Sequence, residues 1–392
     1  MERVLKMIKL AAVKNVVYYI GNYLLRVAYL AVSMFPIKRN KICFSNMNGK
    51  GYADNPKYVA EQIIHENRDI EMVWVLSDGT EPMADGIRGI KLYSLGGFLA
   101  FATSKIWVSN ARLPLFLNKK KNQIYFQLWH GGCGPKKIER AAESKLIRWY
   151  ISCAKHDSKM VDYFVSNSRF NSDMIRKFFW YDGEILNYGS PRHDIFFKEA
   201  GASYKKVIDR LKIEDGCKLI LYAPTFRNDK DLAVYRWEYK KALITAEAKY
   251  HGRYKFILRL HPNISFEADE FEYSGNIVNG STYDDMQELI VASDIVITDY
   301  SGVMMQAAIA RKIVFLLIPD KESYLLERGL CLDIIEMPFP SAMNVQELCA
   351  CIEEYDDTKY RDRLEEYLKL FEFYDDGNAS GRVSEKILLS IG

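Results

Sequence analysis

No stretch of this chain is apolar enough to read as a clean membrane span. Residues 16–35 are largely apolar, but Gly21, Asn22 and Arg26 interrupt a run that would need about 20 unbroken residues. No small-residue cleavage site follows an apolar core at the usual place, so the N-terminus does not read as a signal peptide. Cys43, Cys133, Cys153, Cys217, Cys331, Cys349 and Cys351 are odd in number, scattered and without a CxxC pair. That excludes a zinc-finger spacing and a disulfide framework, and the set reads as reduced cytosolic thiols, mostly in the core. Cys133 alone sits in a glycine turn, where a thiol has a chance of reacting. No DxD-like pair follows a strand and no His/Asp/Glu cluster has metal-ligand spacing, so no metal is required. Short internal repeats and low-complexity tracts are absent as well. Histidine is scarce, with six in 392 residues.

What is present is apolar and aromatic in a length that fits two domains. The charge is uneven. Residues 1–41 hold eight lysines and arginines against Glu2 alone, a net of +7 where the whole chain carries +3. A basic N-terminal segment on a mildly acidic body points to an anionic surface as partner. Nucleic acid is disfavoured, because the basic residues interleave with apolar stretches. Lys6, Lys9, Lys14 and Arg26 fit a helix lying in a membrane interface, with Tyr18, Tyr19, Tyr23 and Tyr29 at headgroup depth. A helix packed on the body of the protein and a true transmembrane span are the alternatives.

Further on, short strand-like runs alternate with amphipathic stretches, the pattern of parallel sheets with crossover helices. Strands are expected at residues 41–44, 72–76, 106–109, 123–129, 163–166 and 184–187, then at 218–222, 255–260, 294–298 and 313–318. Helical patterns lie between them, and residues 345–392 read as helices. A break at residues 189–194 and a charged connector at 203–212 separate two halves. The expectation is an α/β protein of two Rossmann-like domains facing a cleft, divided as residues 1–38, 39–200 and 201–392.

Two histidines stand at strand ends, one in each half. His130 ends the run Gln123-Ile-Tyr-Phe-Gln-Leu-Trp129 and opens Gly131-Gly132-Cys133-Gly134-Pro135-Lys136-Lys137. Such a turn lets backbone N–H groups approach a phosphate. His261 follows Phe256-Ile-Leu-Arg-Leu260. The strongest βαβ unit runs from Ser293 to Ile318 and places Asp299, Ser301 and Gly302 between a strand and its helix. A helix N-terminus at the carboxyl end of a strand is an anion site. Arg227 lies just beyond another strand, and Ser380 and Arg382 lie near the start of the last helix.

Taken in order, several motifs resemble the CDP-glycerol glycerophosphotransferases of teichoic-acid and capsule assembly. They are Gln127-Leu-Trp-His-Gly131 with its downstream lysines, Gly189-Ser-Pro-Arg-His-Asp194, Tyr222-Ala-Pro-Thr-Phe-Arg227, Arg259-Leu-His-Pro262 and Thr298-Asp-Tyr-Ser301. Tyr324 with Glu327-Arg-Gly329, and Asp376-Gly-Asn-Ala-Ser-Gly-Arg382, complete the set. The likeness covers roughly residues 40–390. It implies a GT-B fold, with the donor nucleotide held mainly by the C-terminal domain, membrane association and no tightly bound metal or other cofactor. It further implies catalytic histidines at His130 and His261. Donor contacts are implied around Arg227, Ser301, Ser380 and Arg382, with Thr298, Asp299 and Gly302 in the same site. Gly131, Gly132, Lys136 and Arg192 would form an acceptor or phosphate turn. The chain departs from the family pattern at Gly302, where many members have a second serine, at the glycine-rich 131–134 turn, and at His193.

The reaction expected from the resemblance moves glycerol phosphate, or a related polyol phosphate, from CDP-glycerol to a hydroxyl of a lipid-linked (polyprenyl diphosphate) saccharide, releasing CMP. It would run at the cytoplasmic face of a bacterial membrane, with His130 as the base. A GT-B glycosyltransferase using a UDP- or GDP-sugar shares the fold and the phosphate site, and is the alternative.

Overall fold

The alternating runs fold into two α/β units: Met1–His130, Ile138–Arg192 and Asn378–Gly392 form the first, and Gly131–Lys137 with His193–Gly377 the second. The structure is a computed structural model and describes residues 2–66, 69–79, 83–132, 134–227, 232–261, 263–334 and 336–391, without the side chains of residues 2–14, 266, 327 and 328. Cys133 and Pro262 therefore lie outside the described residues.

The first unit runs α1 (Glu2–Val32), β1 (Lys38–Ser45), α2 (Asp54–His65), β2 (Glu71–Leu76), β3 (Ile87–Lys91), α3 (Leu95–Thr103), β4 (Ser104–Ser109), β5 (Ile124–Gln127), α4 (Arg148–Met160), β6 (Tyr163–Ser166), α5 (Arg169–Phe178) and β7 (Glu184–Asn187). Its strands form a parallel sheet in the order β3-β2-β1-β4-β5-β6-β7. Neighbouring residues of a strand face opposite sides. Cys43, Val73, Trp107 and Tyr125 accordingly enter one core with Tyr29 and Phe116. Ile42, Trp74, Ile106 and Phe126 enter the other with Val59 and Ile63 of α2. Burial on both faces is why these strands read as continuous apolar runs.

The second unit runs α6 (Ala200–Leu211), β8 (Lys218–Tyr222), α7 (Tyr239–Tyr250), β9 (Tyr254–Leu258), β10 (Ile277–Asn279), α8 (Met286–Ala292), β11 (Ile295–Thr298), α9 (Val303–Ile309), β12 (Ile313–Leu317), α10 (Lys321–Arg328), β13 (Ser341–Ala342), α11 (Val345–Glu353) and α12 (Asp357–Lys369). Its sheet is also parallel, ordered β10-β9-β8-β11-β12-β13. Ile220, Phe256, Ile295 and Val314 are fully buried in it. In each sheet the order reverses once, beside the first strand of the unit, and that reversal opens a crevice at the strands' carboxyl ends.

Three strands escaped the sequence pattern. β3, β10 and β13 lie outermost in their sheets and are short or half-exposed, so none concentrates buried β-branched residues. The expected strand at residues 123–129 stops at Gln127, whose Oε1 accepts the N–H of Trp129 and ends the ladder.

The domain boundaries differ from the expected ones. The final helix, α13 (Ala379–Ile391), joins the first unit, where Val383 and Ile387 enter the core with Phe44 and Trp74. The turn at residues 131–137 joins the second unit instead of the first. The N-terminal segment departs from the expectation at two of its tyrosines. Tyr29, expected at headgroup depth, is fully buried and donates to the carbonyl of Asn118 at 3.2 Å, while Tyr18 stacks on Trp149 at 4.6 Å. One face of α1 therefore packs on the first unit. Among the described residues, no helix is long and apolar enough to cross a membrane.

If α13 completes the first unit's core, Ile387→Ala should lower stability by about 2–5 kcal/mol. Urea unfolding followed by tryptophan fluorescence measures this, and a loss of only a few tenths would detach α13 from that core.

Candidate functional site

In the first unit the order reverses between β1 and β4, and the residues that follow these strands are asparagines. Asn110 Nδ2 donates to Asn46 Oδ1 at 2.7 Å, and the Met47 N–H donates to Asn110 Oδ1 at 2.9 Å. This fixes the Asn110 backbone, whose carbonyl lies 2.7 Å from His130 Nδ1. A carbonyl only accepts, so Nδ1 carries the proton and the neutral ring keeps a lone pair on Nε2. Desolvation holds the His130 ring below its ordinary pKa, against the opposing pull of the Asn110 carbonyl and Asp54. A neutral imidazole with a free Nε2 is what general-base chemistry needs.

The residue before it is strained. Trp129 has φ +49°, a left-handed conformation that costs a bulky residue about 1–3 kcal/mol. Its ring lies tilted against that of His130 at 4.5 Å and is flanked by Phe179 and the Arg112 guanidinium, at 4.8 and 5.4 Å. Arg112 is itself buried and paired with Glu139 at 2.7 Å and Asp157 at 3.1 Å. This ion cluster, invisible as a motif, walls the tryptophan in place.

Arg192, expected on an acceptor or phosphate turn, is 4% exposed and pairs with Asp54 at 2.6 Å. Ser380 and Arg382, expected beside the donor diphosphate, fall in the first unit. Ser380 Oγ donates to the Pro191 carbonyl at 3.3 Å, and Arg382 Nε and Nη2 donate to the Tyr188 carbonyl at 2.9 and 2.7 Å. They tie the loop that carries Arg192 to α13.

In the second unit the order reverses between β8 and β11. Thr298 Oγ1 donates to the Ala223 carbonyl at 2.7 Å, and Asp299 accepts the Thr225 N–H on both oxygens, at 2.8 and 3.0 Å. Arg227 is engaged on two sides. It pairs with Asp299 at 2.9 Å and binds Asp320 through Nε and Nη2, at 2.6 and 3.1 Å. Burial opposes its charge, but the two carboxylates outweigh it and push its pKa up. The guanidinium lies 5.1 and 4.9 Å from the rings of Tyr300 and Tyr324, which stack at 3.8 Å. Tyr300 and Tyr324 both lie in the quoted motifs, but their stacking and the role of Asp320 are not legible there, because nothing local in the sequence links positions so far apart.

The glycine turn completes this arrangement. Lys136 Nζ donates to Thr225 Oγ1 at 3.3 Å, and the Cys331 N–H donates to the Pro135 carbonyl at 2.7 Å. A Cβ on Gly134 would sit 3.5 Å from Gly302 Cα, whereas a Cβ on Gly302 would meet nothing within 4 Å. Among the described residues nothing therefore demands glycine at 302, and the space beside it is open. Ser301 Oγ accepts the Val303 N–H at 3.3 Å.

His261 follows β9, its ring 5.8 Å from that of Phe226. Its Nδ1 accepts the Asn263 N–H at 3.1 Å, so the neutral ring carries its proton on Nε2, opposite to His130. Two residues before it, Arg259 is 8% exposed and donates to the carbonyls of Gly280 and Tyr283, and burial pushes its guanidinium down to about 10. His193 is buried in the same unit, pairing with Asp375 at 3.1 Å and stacking on Phe196, a structural setting. Among the described residues no three His, Cys, Asp or Glu side chains gather as metal ligands.

Each unit is thus a doubly wound α/β sheet with polar side chains gathered at its switch point, the architecture of proteins that hold a ligand there. A family model described as CDP-glycerol:poly(glycerophosphate) glycerophosphotransferase matches residues 27–389, and the chain belongs to that family. It is 30% identical over 369 residues to a teichoic acid poly(glycerol phosphate) polymerase of Staphylococcus epidermidis, covering 90% of this chain and 51% of the relative. It is 27% identical over 390 residues to a teichoic acid glycerol-phosphate transferase of Staphylococcus aureus, covering 96% and 99%. A solved structure of the wall teichoic acid polymerase TagF, a variant with CDPG, superposes with a TM-score of 0.84 at 28% identity, covering 98% of this chain and 97% of that one. The chain spans about half the length of the polymerases of Staphylococcus epidermidis and Bacillus subtilis, 51% and 50%.

Because burial favours the neutral ring, the folded His130 midpoint should lie below its ordinary 6.5. The unfolded chain then binds the proton more readily. Stability should hold above pH 6.5 and decline as pH falls toward the folded midpoint, and His130→Asn should remove that slope. Histidine NMR titration reports the midpoint directly, and a value above 6.5 would contradict the burial argument.

Proposed function

We propose that the chain transfers glycerol phosphate from CDP-glycerol to a hydroxyl of a lipid-linked acceptor in teichoic-acid synthesis, releasing CMP. The observation that carries this reading is the bond between His130 Nδ1 and the Asn110 carbonyl, which leaves Nε2 able to take a proton. Family membership supplies the donor class, and the TagF likeness supports it.

In the proposed reaction His130 Nε2 removes the acceptor proton as the hydroxyl oxygen attacks the phosphorus that bears glycerol. The bond from that phosphorus to the bridging oxygen breaks, and CMP leaves with the electron pair. Such transfers depend on positioning and charge neutralisation more than on covalent catalysis. His261 keeps its proton on Nε2, so it suits donation to phosphate oxygens and not proton removal. Arg227 is already matched by Asp299 and Asp320, so its part is to hold Thr225 and the tyrosine pair in place. Phosphate recognition falls to Lys136, to the backbone beside Ser301 and Gly302, and to His261.

We further propose that α1 docks the chain on an anionic membrane surface. Opposite its packed face, Val16, Val17, Ile20, Tyr23, Leu24, Val27 and Leu30 are exposed, at helical spacing. They continue into Met34 at 87% exposure and Phe35 at 54%. A basic helix with such a stripe binds interfaces by apolar burial and charge together.

His130→Ala should lose about 10²–10⁴-fold in kcat with the fold intact, the usual contribution of one base. Wild-type turnover of CDP-glycerol by that variant would overturn the base assignment. Calorimetry with CDP-glycerol, CDP-ribitol and a UDP-sugar side by side should favour a CDP-polyol, and preference for the UDP-sugar would sink the reading. Vesicles containing phosphatidylglycerol should sediment the chain, vesicles of phosphatidylcholine much less, and Ile20→Ser with Leu24→Ser should weaken the binding. Equal sedimentation of wild type and this variant would remove α1 as the docking element.

A further inference from the structure

We infer that Asn55, to which no motif points, is the positioning residue of His130. The inference rests on the reading of His130 as the base. Asn55 is 2% exposed and lies at the start of α2. Its Nδ2 donates to the Trp129 carbonyl at 2.8 Å and to the Leu128 carbonyl at 3.2 Å. Its Oδ1 accepts from Ser190 Oγ at 2.9 Å and from the Arg192 N–H at 3.0 Å. A carboxamide has two N–H donors and two acceptor lone pairs, and all four are used. One side chain therefore joins the turn before His130 to the loop that carries Arg192.

The consequence for His130 follows from peptide geometry. The Trp129 carbonyl belongs to the peptide plane that enters His130, so fixing that oxygen fixes where the His130 side chain leaves the backbone. Trp129 holds φ +49° and would relax toward the ordinary regions if its carbonyl were released. The ring would then swing away from the Asn110 carbonyl, and with it the protonation of Nδ1. The neighbouring pair adds an electrostatic frame. Asp54, itself at φ +61°, accepts the Asn55 N–H on Oδ1 at 2.6 Å and pairs with Arg192 through Oδ2 at 2.6 Å. Asp54 raises the His130 pKa and Arg192 lowers it, so their placement sets the charge felt by the ring. Only an amide meets two carbonyls on one side and two donors on the other. Aspartate lacks the donors, and glutamine places the same groups one methylene further out.

The test uses the full chain with Asn55→Asp, which keeps the acceptor for Ser190 and Arg192 but turns lone pairs toward the two carbonyls. Turnover of CDP-glycerol should show kcat falling about 10- to 100-fold, the scale of a displaced catalytic group. KM for CDP-glycerol should stay within about twofold, since a base acts in the transition state. In ¹⁵N-histidine NMR the His130 ring should lose its Nδ1-protonated form. Unchanged kcat together with an unchanged His130 spectrum would overturn the inference, whatever the melting temperature does. Asn55→Gln carries the same expectations if Asn55→Asp does not fold. If the wild type fails to turn over CDP-glycerol, the proposed function falls, while the spectrum still decides the role of Asn55 because it needs no substrate.

Discussion

The structure turns on one hydrogen bond, from His130 Nδ1 to the carbonyl of Asn110. It decides which imidazole nitrogen holds a proton, and so whether the ring can accept another. Everything around it serves to keep it in place. The side chain of Asn110 is held by Asn46 and Met47, where β1 and β4 part. Trp129 is pinned in a disfavoured conformation against Arg112 and Phe179. Arg112 stays buried because Glu139 and Asp157 neutralise it. Removing one member of such a buried ion cluster typically costs about 3–5 kcal/mol, far more than a surface pair contributes.

The second histidine shows the opposite chemistry on the same kind of scaffold. His261 accepts on Nδ1 and keeps Nε2–H as a donor. Two strand-end histidines that look alike in the sequence are thus separated into an acceptor and a donor by one backbone group each. The carbonyl before one and the N–H after the other make the difference. Arg227 teaches a related lesson. An arginine beyond a strand, expected to meet a phosphate, has its charge matched by Asp299 and Asp320 on either side of it.

Much of the fold was legible in the sequence. Strands buried on both faces write themselves as apolar runs, and those at residues 163–166 and 218–222 match the expected bounds. The strand-end placing of His130 and His261 followed from the same signal. Membership of the two units was less legible. Val383 and Ile387 would suit the apolar face of either sheet, and only tertiary packing assigns α13 to the first. The 131–137 turn takes its place from contacts with Thr225 and Cys331, nearly 90 or more residues away, which no local pattern encodes. The sequence places Tyr29 at a membrane interface because burial against Phe98 and Phe116 leaves no trace in helical periodicity.

The central claim is that a neutral imidazole takes a proton from an alcohol while a phosphorus–oxygen bond of CDP-glycerol breaks. Phosphorus-31 NMR of the wild-type chain with CDP-glycerol and a short glycerol-phosphate acceptor watches that bond directly. The account predicts a growing phosphodiester signal with CMP in equal amount, and neither in His130→Ala. Release of CDP in place of CMP, or a phosphodiester signal that survives His130→Ala undiminished, would contradict it.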